Sequence, residues 1–423
     1  MVRRADWPRV SVEEVCESIV DCVNKTAPVI VEPTPYKMIR TTNVRDGWVD
    51  LTSVRCVTAA TFEKWTRRQK PRRGDVILTR EAPLGEVGLL RSDESVFLGQ
   101  RLVAYRADPG KLDNRFLLYA MLGDDMQGQI RSMGSGATVE HMRVPDCEKV
   151  TLRLPPLGEQ RRIASILSAY DDLIENNTRR IAILEEMARR IYEEWFIRFR
   201  FPGHEGVRMV ESELGLVPEG WSVAPLGDVV KLLSGFAFKS STFSEDGSFG
   251  LVTIKNVHDG EFVEECTSRL SDPPLNMPQH CNLNVADILL SLTGNVGRCC
   301  LVTLAGCLLN QRVAKIEPIK SFDWAYSYLL FRSIQHRERL EAIANGVAQQ
   351  NLSPVESQRM RLVIPAEAMR RRFAEVVTHL LRLRLTLDLK NTNLRTTRDL
   401  LLPKLISGEL DVSSLPEPEA LAA

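Results

Sequence analysis

Two stretches of the sequence place apolar residues at alternating steps of four and three, which is the spacing of a helix packed in a coiled coil. The first stretch follows Pro155-Pro156 and runs to about Arg198, and the second follows Pro365 and runs to about Leu402. A proline just ahead of an apolar repeat is a helix start signal. Helices of about 40 residues span roughly 60 Å at 1.5 Å per residue. We predict that the two helices pair as an antiparallel coiled coil, with a strand-rich domain at each end.

Polar residues interrupt the predicted seam of each helix. Asn177 lies in the first seam, where a buried amide typically fixes the register of the pair at some cost in stability. The second seam is interrupted at Arg384, Asn391 and Arg398. The first seam is therefore the more regular of the two.

Ahead of each long helix, short apolar runs alternate with Gly, Pro and charged turns, which is typical of β-strands. The run Asp75-Val-Ile-Leu-Thr in the first half has a counterpart in the second half, Asp287-Ile-Leu-Leu-Ser. The pattern predicts an α+β protein in which a strand-rich segment precedes each long helix.

The two halves of the chain match each other with a period of about 210 residues. One match could arise by chance, but several occur in collinear order with a slowly drifting offset. The matched segments are residues 39–47 and 254–260, 74–79 and 286–291, 98–101 and 309–312, 141–142 and 351–352, and 154–155 and 364–365. We infer a duplication that yields two pseudo-repeated mixed α/β domains joined by the two helices.

The repeat and the helical patterns together predict the domain boundaries. The first strand-rich domain is predicted at residues 1–153 and the second at residues 222–363. The remaining segments are the first helix at 154–200, a linker rich in Gly, Pro and Glu at 201–221, the second helix at 364–410 and a flexible tail at 411–423. A length of 423 residues fits two to three domains of ordinary size.

Composition and charge narrow the class of protein. The chain is 44% hydrophobic and 26% charged, which excludes a wholly disordered chain. Lys+Arg and Asp+Glu are both 55, so a uniformly basic nucleic-acid coat is excluded. A local basic surface is nevertheless enough to neutralise phosphates, so DNA binding remains open.

Cysteine usage and hydropathy predict a cytoplasmic protein with no membrane segment and no metal site. The nine cysteines form no C-x-x-C motif and are predicted to be free thiols, and the six histidines are scattered. The N-terminus lacks the apolar core of a signal peptide. No apolar run approaches the roughly 18 residues of a membrane span.

Motifs of catalysis are missing from the sequence. The segment from Gly235 to Ser240 lacks the second glycine of a P-loop, and neither G-x-S-x-G nor H-E-x-x-H occurs. Asp272-Pro273-Pro274-Leu275 is similar to a motif of amino-methyltransferases, but Leu275 cannot supply the ring that stacks on a flipped base. We predict no catalytic residue. Two similar domains held at a fixed distance suit a bipartite DNA site, whose half-sites lie about 34–36 Å apart per helical turn.

Several motifs, in order along nearly the whole chain, resemble the specificity subunits of type I restriction–modification systems (the HsdS family). One is the start of the first helix, where Pro155-Pro156-Leu157 precedes Glu159-Gln160. The others are Trp195-Phe196-Ile197-Arg198-Phe199, Leu216-Val217-Pro218-Glu219-Gly220-Trp221, Leu226-Gly227-Asp228-Val229-Val230 and Leu402-Pro403-Lys404-Leu405-Ile406-Ser407-Gly408-Glu409-Leu410. The second helix departs from the first motif and begins Pro365-Ala366-Glu367-Ala368-Met369.

The resemblance implies a non-catalytic subunit that selects the DNA sequence. The two strand-rich domains would be target-recognition domains, each reading one half of an asymmetric, interrupted site on double-stranded DNA. The helices would set the gap and dock two modification subunits, and restriction subunits would join the full complex. No cofactor is expected on this chain, because S-adenosylmethionine, ATP and Mg would belong to the partner subunits.

Candidate DNA-contacting residues are polar side chains that match between the halves. Arg and Lys read guanine, Asn and Gln read adenine, and positive charge or hydroxyls hold phosphates. The first half supplies Arg40, Thr41, Asn43, Thr79, Arg80, Gln100, Arg101, Thr138 and His141, and the second supplies Lys255, Asn256, Ser291, Thr293, Gln311, Arg312, Gln349, Gln350 and Asn351.

Each candidate has a structural alternative. Arg101 and Arg312 could form ion pairs within the fold, and Thr79 and Ser291 could be strand-end hydroxyls. Matched residues should mostly touch DNA backbone or support the fold, so specificity should reside where the halves differ, at about 52–72 and 262–283. Those stretches hold Arg67, Arg68, Arg72 and Arg73 in one half, and Asn276, Gln279 and His280 in the other. The arginines could instead form a solvated surface loop.

Two other classes of function compete with the DNA-reading subunit. An enzyme acting on DNA by itself is disfavoured because cofactor and metal motifs are missing. A coiled-coil scaffold that joins partner proteins without reading DNA is disfavoured, weakly, by the polar and divergent loops of the two domains.

Overall fold

The repeat in the sequence reappears in the order of strands and helices. The computed structural model describes residues 7–135, 140–344 and 350–416. The chain divides into a first unit, Met1–Ile174 with Asn393–Ala423, and a second unit, Glu175–Thr392. Each unit therefore contains one segment of each long helix.

The first unit begins with a strand-rich segment and ends in the first long helix. Its strands are β1 (Arg9–Ser11), β2 (Cys16–Asp21), β3 (Lys37–Ile39), β4 (Val44–Arg45), β5 (Gly47–Val49), β6 (Arg55–Cys56), β7 (Val76–Arg80), β8 (Leu84–Leu89), β9 (Val96–Leu98), β10 (Leu102–Ala107) and β11 (Thr151–Arg153). Its helices are α1 (Val12–Val15), α2 (Ala59–Trp65), α3 (Asn114–Leu122), α4 (Asp124–Met133), α5 (Val144–Lys149) and the start of α6 (Leu157–Tyr192).

The second unit repeats this order and contains the start of the second long helix. Its strands are β12 (Met209–Ser212), β13 (Gly215–Pro218), β14 (Ser222–Pro225), β15 (Val230–Ser234), β16 (Phe249–Val252), β17 (Arg269–Leu270), β18 (Asn282–Leu283), β19 (Ile288–Ser291), β20 (Cys299–Leu301), β21 (Cys307–Leu309), β22 (Val313–Pro318) and β23 (Arg361–Ile364). Its helices are α7 (Trp324–Arg332), α8 (Ile334–Ile343), α9 (Pro354–Arg359) and α10 (Glu367–Ile406). The helices α3, α4, α5 and α6 begin 210 residues before α7, α8, α9 and α10.

Two sheets face each other in each unit. In the first, the larger sheet has the order β2-β10-β7-β8-β5-β4 and the smaller has β6-β3-β9. Val76 and Leu78 of β7 pack towards α3, whereas Ile77 packs with Ile39 of the smaller sheet. Successive side chains of a strand point to opposite faces, so a strand buried on both sides reads as a continuous apolar run. This explains why the strand segments lack a polar alternation.

The second unit has the same two layers. Its sheets have the orders β15-β22-β19-β20 and β17-β16-β21-β18. In both units the second of the two sheets contains a parallel pair: β3 with β9, and β16 with β21. The fold is thus the predicted pair of mixed α/β repeats.

The two long helices run antiparallel where they pair in the second unit. As the numbering rises along α6 and the π-helical turn Glu193–Ile197 that continues it, the numbering falls along α10 at each contact. Successive contacts are Asn177 with Asn391 at 2.9 Å, Glu185 with Arg384 at 3.5 Å, and the rings of Trp195 and Phe373 at 5.6 Å between centroids. The predicted antiparallel coiled coil is confirmed.

The polar interruptions of the second seam meet polar partners on α6. Arg384 and Asn391 contact Glu185 and Asn177 in the second unit. In the first unit, Arg398 donates to Asp171 at 2.7 Å, and the Asp171 side chain is 4% exposed. Because a buried charge without a partner is costly, these complementary pairs hold the helices in one register.

The start of each long helix is fixed to the domain before it. Gln160 is buried and accepts from the backbone N–H of Asp113, which caps α3. Arg370, which lies 210 residues later, instead forms an ion pair with Asp323 at the start of α7. Both long helices thus dock on the aspartate that caps the helix at the matching position, Asp113 or Asp323, although the side chain that contacts it differs.

The predicted linker and the predicted flexible tail both make ordered contacts. The predicted linker at 201–221 contains the β12–β13 hairpin, and Phe201 stacks on Trp221 at 5.5 Å between centroids. In the predicted tail, Val412 is buried in the apolar core of the first unit. Residues 417–423 lie outside the described part of the chain.

Candidate nucleic-acid interface

Loops that carry predicted DNA contacts emerge side by side in the first unit. Because β3 and β9 are parallel neighbours, the residues that follow them leave the smaller sheet at the same edge. The backbone N–H of Gly99 donates to the carbonyl of Ile39 at 2.7 Å. Residues 40–43 and 99–101 therefore lie next to each other.

Two further loops join this edge. The N–H of Arg80, at the end of β7, donates to the carbonyl of Arg101 at 2.8 Å. The N–H of Met142 then donates to the carbonyl of Arg80 at 2.9 Å, and Glu81 forms an isolated β-bridge with His141. We call the four loops at residues 40–43, 80–83, 99–101 and 140–142 the first polar edge.

The second unit builds the same edge with the same backbone hydrogen bonds. The N–H of Asn310 donates to Val252 at 3.1 Å, and that of Leu292 donates to Arg312 at 3.0 Å. The N–H of Leu352 donates to Leu292 at 2.8 Å, and Thr293 forms a β-bridge with Asn351. The loops at residues 253–256, 292–297, 310–312 and 350–352 form the second polar edge.

The side chains exposed on the two edges are mostly amides and cations. On the first polar edge, Gln100, Arg101 and His141 are exposed, and Thr41 is half-buried. The exposed predicted residues of the second polar edge are Lys255, Gln311, Arg312, Gln350 and Asn351, with Thr293 half-buried. These are the donor and acceptor types that read base edges and hold phosphates.

The matched asparagines of the two edges are buried and hold their own turns. The Asn43 Oδ1 accepts from the N–H of Arg40 at 3.0 Å, and its Nδ2 donates to Ser53. The Asn256 Oδ1 accepts from Thr253 at 2.9 Å, and its Nδ2 donates to the carbonyl of Val263. Both side chains are 2% exposed. Their match between the halves therefore reflects a shared turn, and the DNA contact proposed for them stays a prediction.

Thr79 and Ser291 brace the hairpins of the two edges. The Thr79 hydroxyl donates to the carbonyl of Pro83 at 2.7 Å and accepts from the N–H of Glu86 at 2.9 Å. The Ser291 hydroxyl donates to the carbonyl of Asn295 and accepts from the N–H of Arg298. Both hydroxyls are thus engaged within the fold, in line with the structural alternative stated for them.

The arginines of the first polar edge have partners within the unit. Arg40 donates to the carbonyl of Ser53, and Arg80 to that of Met142 at 3.0 Å. Arg101 lies 3.2 Å from Glu81, and both side chains are partly exposed. Its backbone has a φ of +71°, in the left-handed region that a non-glycine residue seldom occupies. Such a conformation persists only where the surrounding structure imposes it.

Two of the predicted contacts lie outside the described residues: Thr138 in the first half and Gln349 in the second. Their neighbours His141 and Gln350 are exposed on the two edges.

Three of the four arginines of the divergent stretch in the first unit lie in ion pairs. Arg68 pairs with Asp21, Arg72 with Glu17 at 3.1 Å, and Arg73 with Asp93 at 3.7 Å. In the second unit, His280 contacts the carbonyl of Ser234 through Nε2 at 2.9 Å. The basic cluster therefore has acidic neighbours of its own, which reduces the charge it offers to a phosphate.

A partly buried charge network lies next to the second polar edge. Arg332 and Arg337 both pair with Asp259, three residues after Asn256. Burial acts to raise the pKa of the Asp259 carboxyl, but hydrogen bonds from Arg337 and Arg332 outweigh it and lower that pKa. Arg384 of α10 donates to the carbonyl of Gly260. The turn that precedes these residues is thereby fixed to α7 and α10.

Sequence reasoning missed two loops that lie on these edges, at residues 23–26 and 236–242. The first loop follows β2, which pairs with β10, and the second follows β15, which pairs with β22. The strands β10 and β22 begin directly after Arg101 and Arg312. The two loops do not match in sequence, so the search for shared residues passed over them. Each loop has a lysine followed by a hydroxyl residue shortly after the outermost strand of a sheet, and this pattern could have indicated both loops.

Searches of the described residues for other kinds of site gave no candidate. They contain no helix long and apolar enough to span a membrane. They also contain no cluster of three or more His, Cys, Asp or Glu side chains that could hold a metal ion.

Comparison with known proteins identifies the family. The type I restriction modification DNA specificity domain matches twice, at residues 5–186 and 218–379. The MjaIX specificity subunit of a type I restriction enzyme from Methanocaldococcus jannaschii is 25% identical over 348 residues, which cover 81% of this chain and 79% of the relative. The HindI specificity subunit from Haemophilus influenzae is 22% identical over 322 residues, 62% of this chain and 69% of the relative.

A solved structure shows the same fold. The crystal structure of the S subunit of a type I restriction-modification system from M. genitalium aligns with a TM-score of 0.59 at 18% identity, covering 95% of this chain and 96% of that one. The two domain matches together span most of the chain and coincide with the two structural repeats. The protein therefore belongs to the family of type I restriction–modification specificity subunits.

Proposed function

We propose that this chain selects the DNA target of a type I restriction–modification complex, with each polar edge reading one half of an asymmetric bipartite site. The observation that carries the proposal is the shared frame of the two edges. The same backbone hydrogen bonds hold both, and the exposed side chains at their tips are partly shared, as at Gln100 and Gln311, and partly different, as at His141 and Asn351. A shared backbone arrangement that carries different exposed side chains suits two half-sites of different sequence.

The exposed tips have the chemistry of direct readout in the major groove. A glutamine next to an arginine stands on each edge, Gln100-Arg101 and Gln311-Arg312, and all four side chains are exposed. Glutamine can pair with adenine and arginine with guanine through two hydrogen bonds each. His141 on the first edge stands where Asn351 stands on the second, which gives the halves different donors and acceptors.

An exposed apolar flank of the helix pair supports the docking of modification subunits. In the second unit, Ile183 and Met187 of α6 are 59% and 45% exposed, and Val376 and Leu383 of α10 are 46% and 42% exposed. Met187, Val376 and Leu383 each directly precede a seam position, so they lie on one flank of the antiparallel pair, with Ile183 one turn away. The other flank is occupied, since Glu185 contacts Tyr328 of α7.

Catalysis and its cofactors are assigned to the partners in this proposal. The modification subunits would supply S-adenosylmethionine and adenine methylation, and restriction subunits in the full complex would use ATP and Mg. This chain contributes the sequence choice. The resemblance to the family supports this division of labour.

Replacing Arg312 with alanine should relax sequence choice at one base pair of one half-site. Loss of a two-hydrogen-bond contact removes about 1–3 kcal/mol of discrimination, or roughly 5- to 150-fold. The measurement is methylome sequencing of cells that express the chain with its modification subunits. Arg359→Ala, an exposed arginine on α9 of the same unit, is the matched control and should leave the motif unchanged.

The same experiment separates the competing functions. Deleting the chain should abolish methylation at a bipartite motif. Methylation that persists at the same sites, with the deletion verified, would contradict the DNA-reading role and favour a scaffold. A purified chain that methylates DNA by itself would instead favour an independent enzyme.

Met187→Glu should weaken binding of the modification subunits by tenfold or more, because it places a charge on the exposed apolar flank. The residue is 45% exposed, so folding should be retained. Co-purification and titration of the assembled complex measure the effect. Ala182→Glu introduces the same charge on an exposed position of α6 away from this flank and should bind normally. Equal binding by the two variants would place the docking surface elsewhere.

A further inference from the structure

In each unit a loop follows an edge strand, β2 in the first and β15 in the second, and leaves the sheet at the polar edge. After β2, the N–H of Cys22 donates to the carbonyl of Leu102 at 3.1 Å; after β15, the N–H of Gly235 donates to that of Val313 at 3.0 Å. Leu102 and Val313 directly follow Arg101 and Arg312. The residues that come next along each loop therefore start beside a Gln-Arg dipeptide.

In the first unit, this loop contacts the edge glutamine. The hydroxyl of Thr26 donates to the Oε1 of Gln100 at 3.4 Å. Asn24, Lys25 and Thr26 are exposed, whereas Ala27 is buried in the apolar cluster behind them. The carbonyl of Lys25 accepts from the indole N–H of Trp65 at 3.4 Å. Anchors on both sides thus hold a short polar loop at the first polar edge.

In the second unit, the loop pairs with the edge through its backbone. The N–H of Phe236 donates to the carbonyl of Leu309 at 2.9 Å, and the N–H of Gln311 donates to the carbonyl of Phe236 at 3.1 Å. A Cβ on Gly235 would lie 2.3 Å from the carbonyl oxygen of Asn310, so only glycine permits this approach. The glycine that resembled part of a P-loop is explained by this packing.

Aromatic packing supports the rest of the second loop. The rings of Phe236 and Phe238 lie 5.1 Å apart, and Phe238 packs on the apolar cluster that contains Leu251 and Leu308. The hydroxyl of Thr242 donates to the carbonyl of Lys239 at 2.7 Å. With the two phenylalanines anchored, Lys239 and the following Ser240 and Ser241 are exposed.

The charge on both loops favours an anion. Residues 22–31 and 235–243 contain no Asp or Glu, and each segment contains one lysine. Three of the divergent arginines of the first unit differ in this respect, since they already pair with carboxylates. A lysine with adjacent hydroxyls, beside side chains that can read bases, has the chemistry of a DNA phosphate contact.

We propose that Lys25 and Lys239, with the hydroxyls beside them, are phosphate-binding sites that seat one half-site each against its polar edge. This inference rests on the proposed function, because it takes DNA to be the ligand of both edges. Lys25 acts with Thr26 in the first unit, and Lys239 acts with Ser240 and Ser241 in the second. The two sites set the register of the duplex, and the neighbouring Gln-Arg dipeptides then read the bases.

The test compares Lys25→Ala, Lys239→Ala and a control, Lys231→Ala, in the assembled complex on its cognate DNA. Lys231 is an exposed lysine on β15 of the same unit as Lys239. Losing one phosphate contact should lower the slope of log affinity against log salt by about 0.9. We expect that decrease for each loop variant, with affinity about three- to tenfold weaker at low salt, and about twice the decrease in slope for the double variant. Lys231→Ala should match the unaltered chain.

Phosphate ethylation interference locates the lost contacts. Lys25→Ala should remove interference in one half-site only, and Lys239→Ala in the other only. Arginine at either position should restore the slope, which separates lost charge from local misfolding. Slopes and footprints equal to those of Lys231→Ala would overturn this inference and leave the proposed function standing. An unaltered complex without preference for any bipartite site would instead overturn the proposed function.

Discussion

Replacing Glu185 with alanine should lower the free energy of unfolding of the second unit by about 3 kcal/mol, because it removes the acceptor of a buried hydroxyl and one counter-ion of two buried arginines, which keep Asp259 and Asp388. The Glu185 carboxylate accepts from the Tyr328 hydroxyl at 2.9 Å and lies 3.3 Å from Arg332 and 3.5 Å from Arg384. The Arg384 and Arg332 side chains are only 6% and 16% exposed. Burial raises the pKa of Tyr328 well above its ordinary value, so its hydroxyl stays protonated and donates.

Urea unfolding followed by tryptophan fluorescence measures the loss. Glu186→Ala is the control, since this neighbouring glutamate pairs with Arg189 and Arg190 in partly exposed ion pairs on the same helix. It should shift the unfolding midpoint little. If Glu185→Ala were no more destabilising than the control, the network would not hold α6, α7 and α10 together as described.

Phe373→Ala should cost about 3–5 kcal/mol of unfolding free energy, the usual range for deleting a fully buried ring. Phe373 is 0% exposed, and its ring centroid lies 4.7 Å from that of Phe196 and 5.6 Å from that of Trp195. The substitution empties the place where α10 packs on the end of α6 in the second unit. Both the cavity and the lost aromatic contacts contribute to the cost.

Phe243→Ala provides the comparison for the Phe373 variant. Phe243 belongs to the same unit but is 38% exposed, so its removal should cost clearly less unfolding free energy than that of the fully buried Phe373. Phe373→Leu should lose less than Phe373→Ala because it leaves a smaller cavity. A small effect of Phe373→Ala would contradict the tight packing of the helix ends.

The long helices and the duplication were predictable because both leave a periodic record in the sequence. Seam spacing located α6 and α10, and collinear matches located the repeat. The partners of Arg384 and Arg398 were not predictable. Glu185 and Asp171 lie far away along the chain, and pairing them requires the register of two helices that the sequence does not state. The sequence therefore shows that polar residues interrupt the seam, but it does not show which residues of the other helix they contact.

The candidate site was predictable in its location and less so in its roles. Matching the halves found the loops that form both polar edges. It could not separate Thr79, whose hydroxyl is consumed by its own hairpin, from Gln100, whose side chain is exposed. A hydroxyl satisfies a backbone amide and a DNA phosphate equally well, so sequence pattern alone cannot choose between them. Loops that differ between the halves, such as residues 236–242, contain no matched residues by which the sequence could indicate them.

The polar edges combine buried side chains that hold the turns with exposed side chains on the loops, and this combination affects how such a protein can change over generations. Asn43 and Asn256 are satisfied inside the turns that carry the tips, so the turns do not depend on what the tips carry. Substitutions at Gln100, His141 or Gln350 touch exposed side chains and should be nearly neutral for folding. Substitutions that alter DNA preference can then accumulate one exposed side chain at a time. Selection can act on the DNA that each variant binds, because the variants are not first lost through instability.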